Sequence, residues 1–223
     1  MGKLNNHYQI GFRFFIFCIG LLIMAFGLDL LIIADLGVTP WDVLHIGLFK
    51  QIGLTIGSWS IIVGFFVLGI SAIIMRKIPK IGAYLNMLLV GLFMDMFLHF
   101  LSNVEMTSII EKIIVLILGI IINAIGMGIY ISAQLGAGPR DSFMLAVTSK
   151  TGWKISHVRR GMEVIVLIIG WLCGGPVFIG TIIFVLSIGT LVGIALPLCQ
   201  SFTNKFLKKF EKNREEINRG ASL

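Results

Sequence analysis

Long apolar stretches separated by short polar breaks dominate the chain. Five are unambiguous, over about 14–34, 58–75, 81–101, 113–133 and 177–198. A sixth, 161–175, is shorter and interrupted by Gly170, Gly174 and Gly175. A helix crosses a bilayer with roughly 20 mainly apolar residues, so each stretch predicts a membrane span. Little chain is left between them. The expectation is one polytopic domain over 1–223, all-α and integral to the membrane, with no extramembrane domain.

The pattern occurs twice. GLLIMAFGLDLLIIADLGVTPWD (20–42) returns as GIIINAIGMGIYISAQLGAGPRD (119–141), an offset of 99. Gly20, Ala25, Gly27, Ala34, Leu36, Gly37, Pro40 and Asp42 match Gly119, Ala124, Gly126, Ala133, Leu135, Gly136, Pro139 and Asp141. The register holds through Gly53/Gly152 and Ile56/Ile155, then slips by one residue at Ile81-Gly82/Ile179-Gly180 and Gly91/Gly189. Two copies of one membrane unit follow, repeat one over 14–101 and repeat two over 113–199, with a basic tail at 200–223.

Charge sets the orientation. Six spans with a cytoplasmic amino terminus place sixteen of the eighteen Lys and Arg residues inside, leaving Lys50 and Lys112 outside. Counting 40–52 and 139–151 as further spans would put Arg76, Lys77 and Lys80 on the outer side. Three spans per copy is an odd number, so the copies enter the membrane from opposite faces. The expected fold is six transmembrane helices as two inverted three-span repeats, both termini cytoplasmic, in a bacterial inner membrane. Inner-leaflet contact accounts for the net charge of +7, and nucleic acid is not needed.

Between the first and second span of each repeat lies a short element, LGVTPWD leading into VLHIGLF and LGAGPRD leading into SFMLAV. Gly37 and Gly136 suit a helix exit, and Pro40 and Pro139 suit the first position of the next helix. Thr39 and Asp42 have capping-box spacing. These helices are too short to cross and are expected to be re-entrant or interfacial. In the second, Asp141, Ser142, Thr148 and Ser149 gather on one side, with Phe143, Met144 and Val147 opposite. Asp42 and Asp141 have two uses open to them, capping or a substrate site between paired half-helices. Arg140, opposite Trp41 in the repeat, either holds an anionic group or is an inner-interface charge.

Asp29, Asp95, Asn86 and Asn123 lie within spans, where polar groups usually face a cavity or the bundle interior. Asp29 and Asp95 are placed to face each other across an outward cavity. Glu163 is expected to pair with Arg159 or Arg160. Gly170–Gly174 and Gly189–Gly193 are GxxxG patterns, for which packing within the chain is the simpler use and a homodimer the other. Phe206 and Phe210, among Lys205, Lys208, Lys209 and Lys212, suit a helix running onto the inner leaflet. Cys18, Cys173 and Cys199 read as small core residues. The first apolar run lacks a cleavage signal and is read as a retained span. Met1-Gly2 lacks Ser or Thr at position 6, so myristoylation is not expected.

No hydrolase, P-loop or metalloprotease motif is present, and His7, His45, His99 and His157 are scattered. No catalytic residue, metal site or cofactor is expected. The segment LGVTPWDVLHIGLFKQIGLTIGSWSIIVG (36–64), with its LGAGPRD echo, resembles the YczE/YyaS-like bacterial membrane proteins, a group near the YitT-like proteins. The likeness runs from about 14 to 200. It implies a small polytopic protein of the inner membrane and carries over neither a substrate nor a site residue.

Two functions are therefore expected to compete. One is a small secondary transporter or permease-like protein for a small molecule or ion, its path lined by Asp29, Trp41, Asp42, Asp95, Asn123, Arg140 and Asp141. The other is a non-transporting accessory protein whose basic face docks a membrane-associated complex or biosynthetic enzyme.

Overall fold

The computed structural model describes residues 7–136 and 138–220, with side chains described between 10 and 207. The amino-terminal myristoylation position, Ala137 of the LGAGPRD segment and the side chains of Lys208, Lys209, Phe210 and Lys212 lie outside the described residues.

The described residues form eight helices: α1 (His7–Ala34), α2 (Pro40–Ile52), α3 (Ile56–Met75), α4 (Ile81–Phe100), α5 (Ile109–Ser132), α6 (Pro139–Thr151), α7 (Ile155–Leu172) and α8 (Ile179–Gly220). Ile10–Ala34 of α1, all of α3, α4 and α5, and Ile179–Leu207 of α8 are long and apolar enough to cross a bilayer. Their outward side chains are hydrocarbon: Phe65, Phe66, Ile73, Leu186 and Leu198 are all more than three-fifths exposed. Water would penalise such a surface and lipid does not. The chain is an all-helical integral membrane protein.

The sixth apolar run becomes α7, which begins at Ile155, ahead of that run. Its first half carries Arg159, Arg160 and Glu163, so it falls outside the set of five apolar helices. The basic carboxy-terminal segment continues α8 as one helix, through Pro197, to Gly220.

α1 and α5 form the spine, and they cross antiparallel. Gly20 lies against Tyr130, Gly27 against Asn123, Met24 against Gly126, and Leu31 against Gly119. The residue number rises along one helix as it falls along the other. Without a hydrophobic driving force between spans, close backbone approach at small residues makes such contacts, through dispersion and local hydrogen bonds. The small residues recur every seven positions, as Gly20, Gly27, Ala34 in α1 and Gly119, Gly126, Ala133 in α5. That interval keeps them on one face of each helix. Buried Leu31, Val43, Leu116 and Ile120 form one core against α8; Phe17, Leu21, Leu28 and Met94 form another against α4.

The same contacts recur between equivalent positions of the two copies. Gly82 sits against the Leu135 carbonyl, and Gly180 donates its N–H to the Leu36 carbonyl at 2.7 Å. The Ser149 hydroxyl meets the Met75 sulfur at 3.0 Å, and the Lys50 ammonium meets the Gly174 carbonyl at 3.1 Å. One end of the bundle thus gathers Arg13 with Ala133, Gly82 with Leu135, and Ser132 with Thr203. The other gathers Asp35 with Lys112, Gln51 with Cys173, and Gly180 with Leu36.

The helix exits differ in detail from expectation. Left-handed backbone appears first at Asp35 (φ 53) and Gln134 (φ 58). Gly37 (φ 113) then uses the freedom that its lack of a Cβ allows, whereas Gly136 (φ 158) is close to extended.

The glycine pairs divide as well. Gly170 packs on Val43 and Leu44 of α2, but Gly189 and Gly193 are exposed and have no neighbour where a Cβ would stand. Packing within the chain therefore uses Gly170 and leaves the α8 pair on the outer surface.

Asp95 caps α3 from α4. Its carboxylate accepts the Gly57 N–H at 2.8 Å and the Thr55 hydroxyl at 2.6 Å. Asp95→Ala is expected to destabilise the protein by about 1–3 kcal/mol by stripping partners from those donors. Thermal unfolding in detergent measures it.

Candidate functional site

Two short helices point their amino termini at each other from opposite ends of the bundle. Both begin with proline at the first helical position, where a missing N–H has no intrahelical partner to lose. α2 is enclosed by protein over its first two turns, from Pro40 to Gly47. It therefore lies inside the protein instead of floating on an interface. α6 is more open, with Pro139 and Ala146 buried.

The α2 terminus is closed by its own side chains. The Thr39 hydroxyl accepts the Asp42 N–H at 3.2 Å and donates to the Asp42 carboxylate at 2.6 Å. The other carboxylate oxygen meets His45 Nδ1 at 3.2 Å. All three residues are at most 2% exposed. α6 has Gly138 where α2 has Thr39, and no side chain caps it.

Between these termini lies a cavity of about 110 Å³. That is room for on the order of ten waters, or one small molecule. Its wall is built from equivalent positions of the two copies: Met24 with Asn123, Leu28 with Met127, Pro40 with Pro139, Trp41 with Arg140, and Val63 with Met162. Trp41 and Arg140 touch, the guanidinium carbon standing 4.7 Å from the ring centroid. Such a cation–π contact is worth about 0.5–2 kcal/mol, more when desolvated.

The remaining polar groups of the wall are mostly engaged. The Tyr130 hydroxyl donates to Asp141 at 3.2 Å, and Arg159 Nε donates to Glu163 at 3.1 Å. Asn123 donates its amide to the Met24 carbonyl at 3.3 Å, tying α5 to α1. Asn86 is the exception. It is 6% exposed, and its amide nitrogen has no acceptor. The rest is apolar, with Val67, Met87 and Val90 among others. The arrangement can bind a small amphipathic molecule at one charged, aromatic end.

A model of a family of unknown function, DUF6198, matches residues 11–197. The chain belongs to that family. This DUF6198 protein is 43% identical over 190 residues to the uncharacterized membrane protein YczE of Bacillus subtilis (strain 168), covering 85% of this chain and 87% of that one. It is 29% identical to the uncharacterized protein YyaS of the same organism, over 84% of this chain and 94% of YyaS. An uncharacterized protein of Haemophilus influenzae (strain ATCC 51907 / DSM 11121 / KW20 / Rd) is 32% identical, over 79% of each chain. These likenesses agree with the resemblance carried by the PWD segment. No solved structure matches the chain.

Of the seven residues expected to line a path in this DUF6198 protein, the cavity gathers Trp41, Asn123, Arg140 and Asp141. Asp42 stands behind the wall as a cap, and Asp95 caps α3. Asp29 is fully buried in α1, and neither carboxyl oxygen has a hydrogen-bond partner among the described residues. Neither Asp29 nor Asp95 is among the residues that line this cavity.

Arg140 faces the cavity beside Trp41, not an open inner interface. Met144, expected opposite Asp141 on α6, shares the wall with it, because a three-residue step returns to the same helix face. His45, Asn86, Tyr130, Arg159 and Glu163 join the wall beyond the residues expected from the sequence. Asn86 is legible in the sequence as a polar group within a span, and Glu163 as a partner for Arg159 or Arg160. His45 and Tyr130 gave no signal beyond their residue type.

Proposed function

We propose that this DUF6198 protein is a small secondary transporter, with the cavity between the two short helices as its solute site. Six spans carry it, α7 being the fifth, arranged as two inverted three-span repeats. Both termini lie on the cytoplasmic side of a bacterial inner membrane. The carrying observation is the wall of equivalent residues from the two copies. A pocket on the axis relating two halves is the place where rocking one half against the other exchanges access between the membrane faces.

The antiparallel crossing of α1 and α5 supports the inversion, since these helices are equivalent members of the two copies. The excess of Lys and Arg at one end of the bundle supports the orientation.

Accessibility tests the reading without knowledge of the solute. In a chain with Cys18, Cys173 and Cys199 replaced by alanine, Val63→Cys is expected to react with a membrane-impermeant maleimide from both faces, in spheroplasts and in inverted vesicles. Lys80→Cys and Lys154→Cys are expected to react in inverted vesicles alone. Reaction of Val63→Cys from only one face would overturn transport and favour the accessory role. Lys80→Cys and Lys154→Cys reacting on different faces would overturn the inversion.

A further inference from the structure

The polar groups of the cavity are unequally satisfied, and the imbalance has a chemical sign. Each carboxylate on the wall already accepts a hydrogen bond, Asp141 from Tyr130 and Glu163 from Arg159. Asp42, just behind, is held by Thr39 and His45. Two donors on the wall have no hydrogen-bond partner among the described residues, the Arg140 guanidinium and the Asn86 amide nitrogen. Arg140 makes no hydrogen bond or ion pair among the described residues; it stands over the Trp41 ring, and Asp42, Asp141 and Glu163 act on it only through their charge, from beyond ion-pair distance. That contact uses the charge and leaves the guanidinium N–H fork available.

Asn86 reaches the same place from α4. Its amide oxygen stands 2.9 Å from where a Cβ on Gly138 would be, two residues ahead of Arg140, while its nitrogen is buried with no acceptor. A buried donor of this kind costs stability unless something supplies an acceptor. The amino terminus of α6, left uncapped at Gly138, adds backbone N–H groups to the same corner. Guanidinium, amide and helix end all call for oxygen acceptors carrying negative charge.

The opposite wall sets the rest of the ligand. Met24, Leu28, Met87, Val90 and Met127 are hydrocarbon or thioether and offer nothing to a second charged group. The volume of about 110 Å³ limits the ligand to a few non-hydrogen atoms beyond its acidic group. We propose that the cavity binds a small organic carboxylate, its anionic end on Arg140 and Asn86 and its apolar body among the methionines. This rests on the transporter reading only for what binding is for; occupancy itself does not require transport.

Binding to the purified full chain in detergent tests it, with butyrate and benzoate as probes and butyramide, butylammonium and inorganic phosphate as comparators. Isothermal titration and thermal shift are expected to show butyrate or benzoate binding at least tenfold more tightly than any comparator. Arg140→Gln is expected to weaken that binding tenfold or more, Arg140→Lys by less, and Asn86→Leu severalfold. If Arg140→Gln does not run as a monodisperse peak, Asn86→Leu and Arg140→Lys read the same contacts.

Preference for butylammonium, equal binding of phosphate, or carboxylate binding unchanged by Arg140→Gln and Asn86→Leu would overturn the proposal. The two readings fail separately. Val63→Cys labelling from both faces with butylammonium preferred keeps transport and removes the carboxylate. Butyrate binding through Arg140 with one-sided labelling does the reverse.

Discussion

Gly27→Val is expected to leave little protein folded in detergent at temperatures where the parent chain is intact. A Cβ at Gly27 would stand 2.5 Å from the Asn123 backbone nitrogen and 2.9 Å from the Gly119 carbonyl oxygen. Both are backbone atoms of the facing helix, and neither can rotate away as a side-chain tip would. The helices must separate, which forfeits dispersion contacts along the whole spine and strains the Asn123–Met24 hydrogen bond beside the crossing. Overpacking of a tight interface costs about 1–3 kcal/mol, and more when the backbone itself is the obstacle.

The equivalent change, Gly126→Val, meets the Met24 backbone and is expected to cost a similar amount. Gly69→Ala, where nothing stands within 4 Å, is expected to move stability by about 0.5 kcal/mol or less. Melting temperature and monodispersity on size exclusion measure all three. A Gly27→Val protein as stable as Gly69→Ala would show that α1 and α5 do not cross at this closeness.

Asp42→Ala carries the second large effect. Its carboxylate is fully enclosed and accepts from the Thr39 hydroxyl while pairing with His45. Deleting it leaves two polar side chains buried without their partner and weakens the start of α2. Each buried polar group left without its hydrogen-bond partner costs about 1–3 kcal/mol, and here there are two. Asp141→Ala, at the equivalent position, is expected to cost about 1 kcal/mol, because that carboxylate is only half-buried and, among the described residues, accepts a hydrogen bond from Tyr130 alone. Chemical or thermal unfolding of the two variants side by side checks the contrast. Equal losses would place Asp42 in the same half-open setting as Asp141 and remove its role as a cap.

Pro40, Pro139 and Thr39 announced the two short helices because helix starts depend on local geometry, a few residues at fixed spacing. The spine was equally legible in principle, through the seven-residue recurrence of small residues in α1 and α5. The use of Asp95 was not legible. Its partners, Thr55 and Gly57, belong to another helix, and nothing in a 40-residue separation reveals that the end of α4 meets the start of α3. The same holds for Asn86, whose position in a span was evident and whose place beside Gly138 was not.

The amino-acid order alone settled that this chain is helical and lives in lipid, that it repeats itself, and where its short helices begin. Each of these follows from hydrophobic run length, from the likeness of the chain's two halves, or from contacts within a single turn. Tertiary structure alone decided that Trp41 meets Arg140, that Asp42 turns inward to a cap while Asp141 faces a cavity, and that Asn86 is left with an unused donor. A helix presents several faces of nearly equal hydrophobicity to its neighbours in a membrane. Which face docks is chosen by close fit between distant helices, and that fit is a property of the assembled bundle.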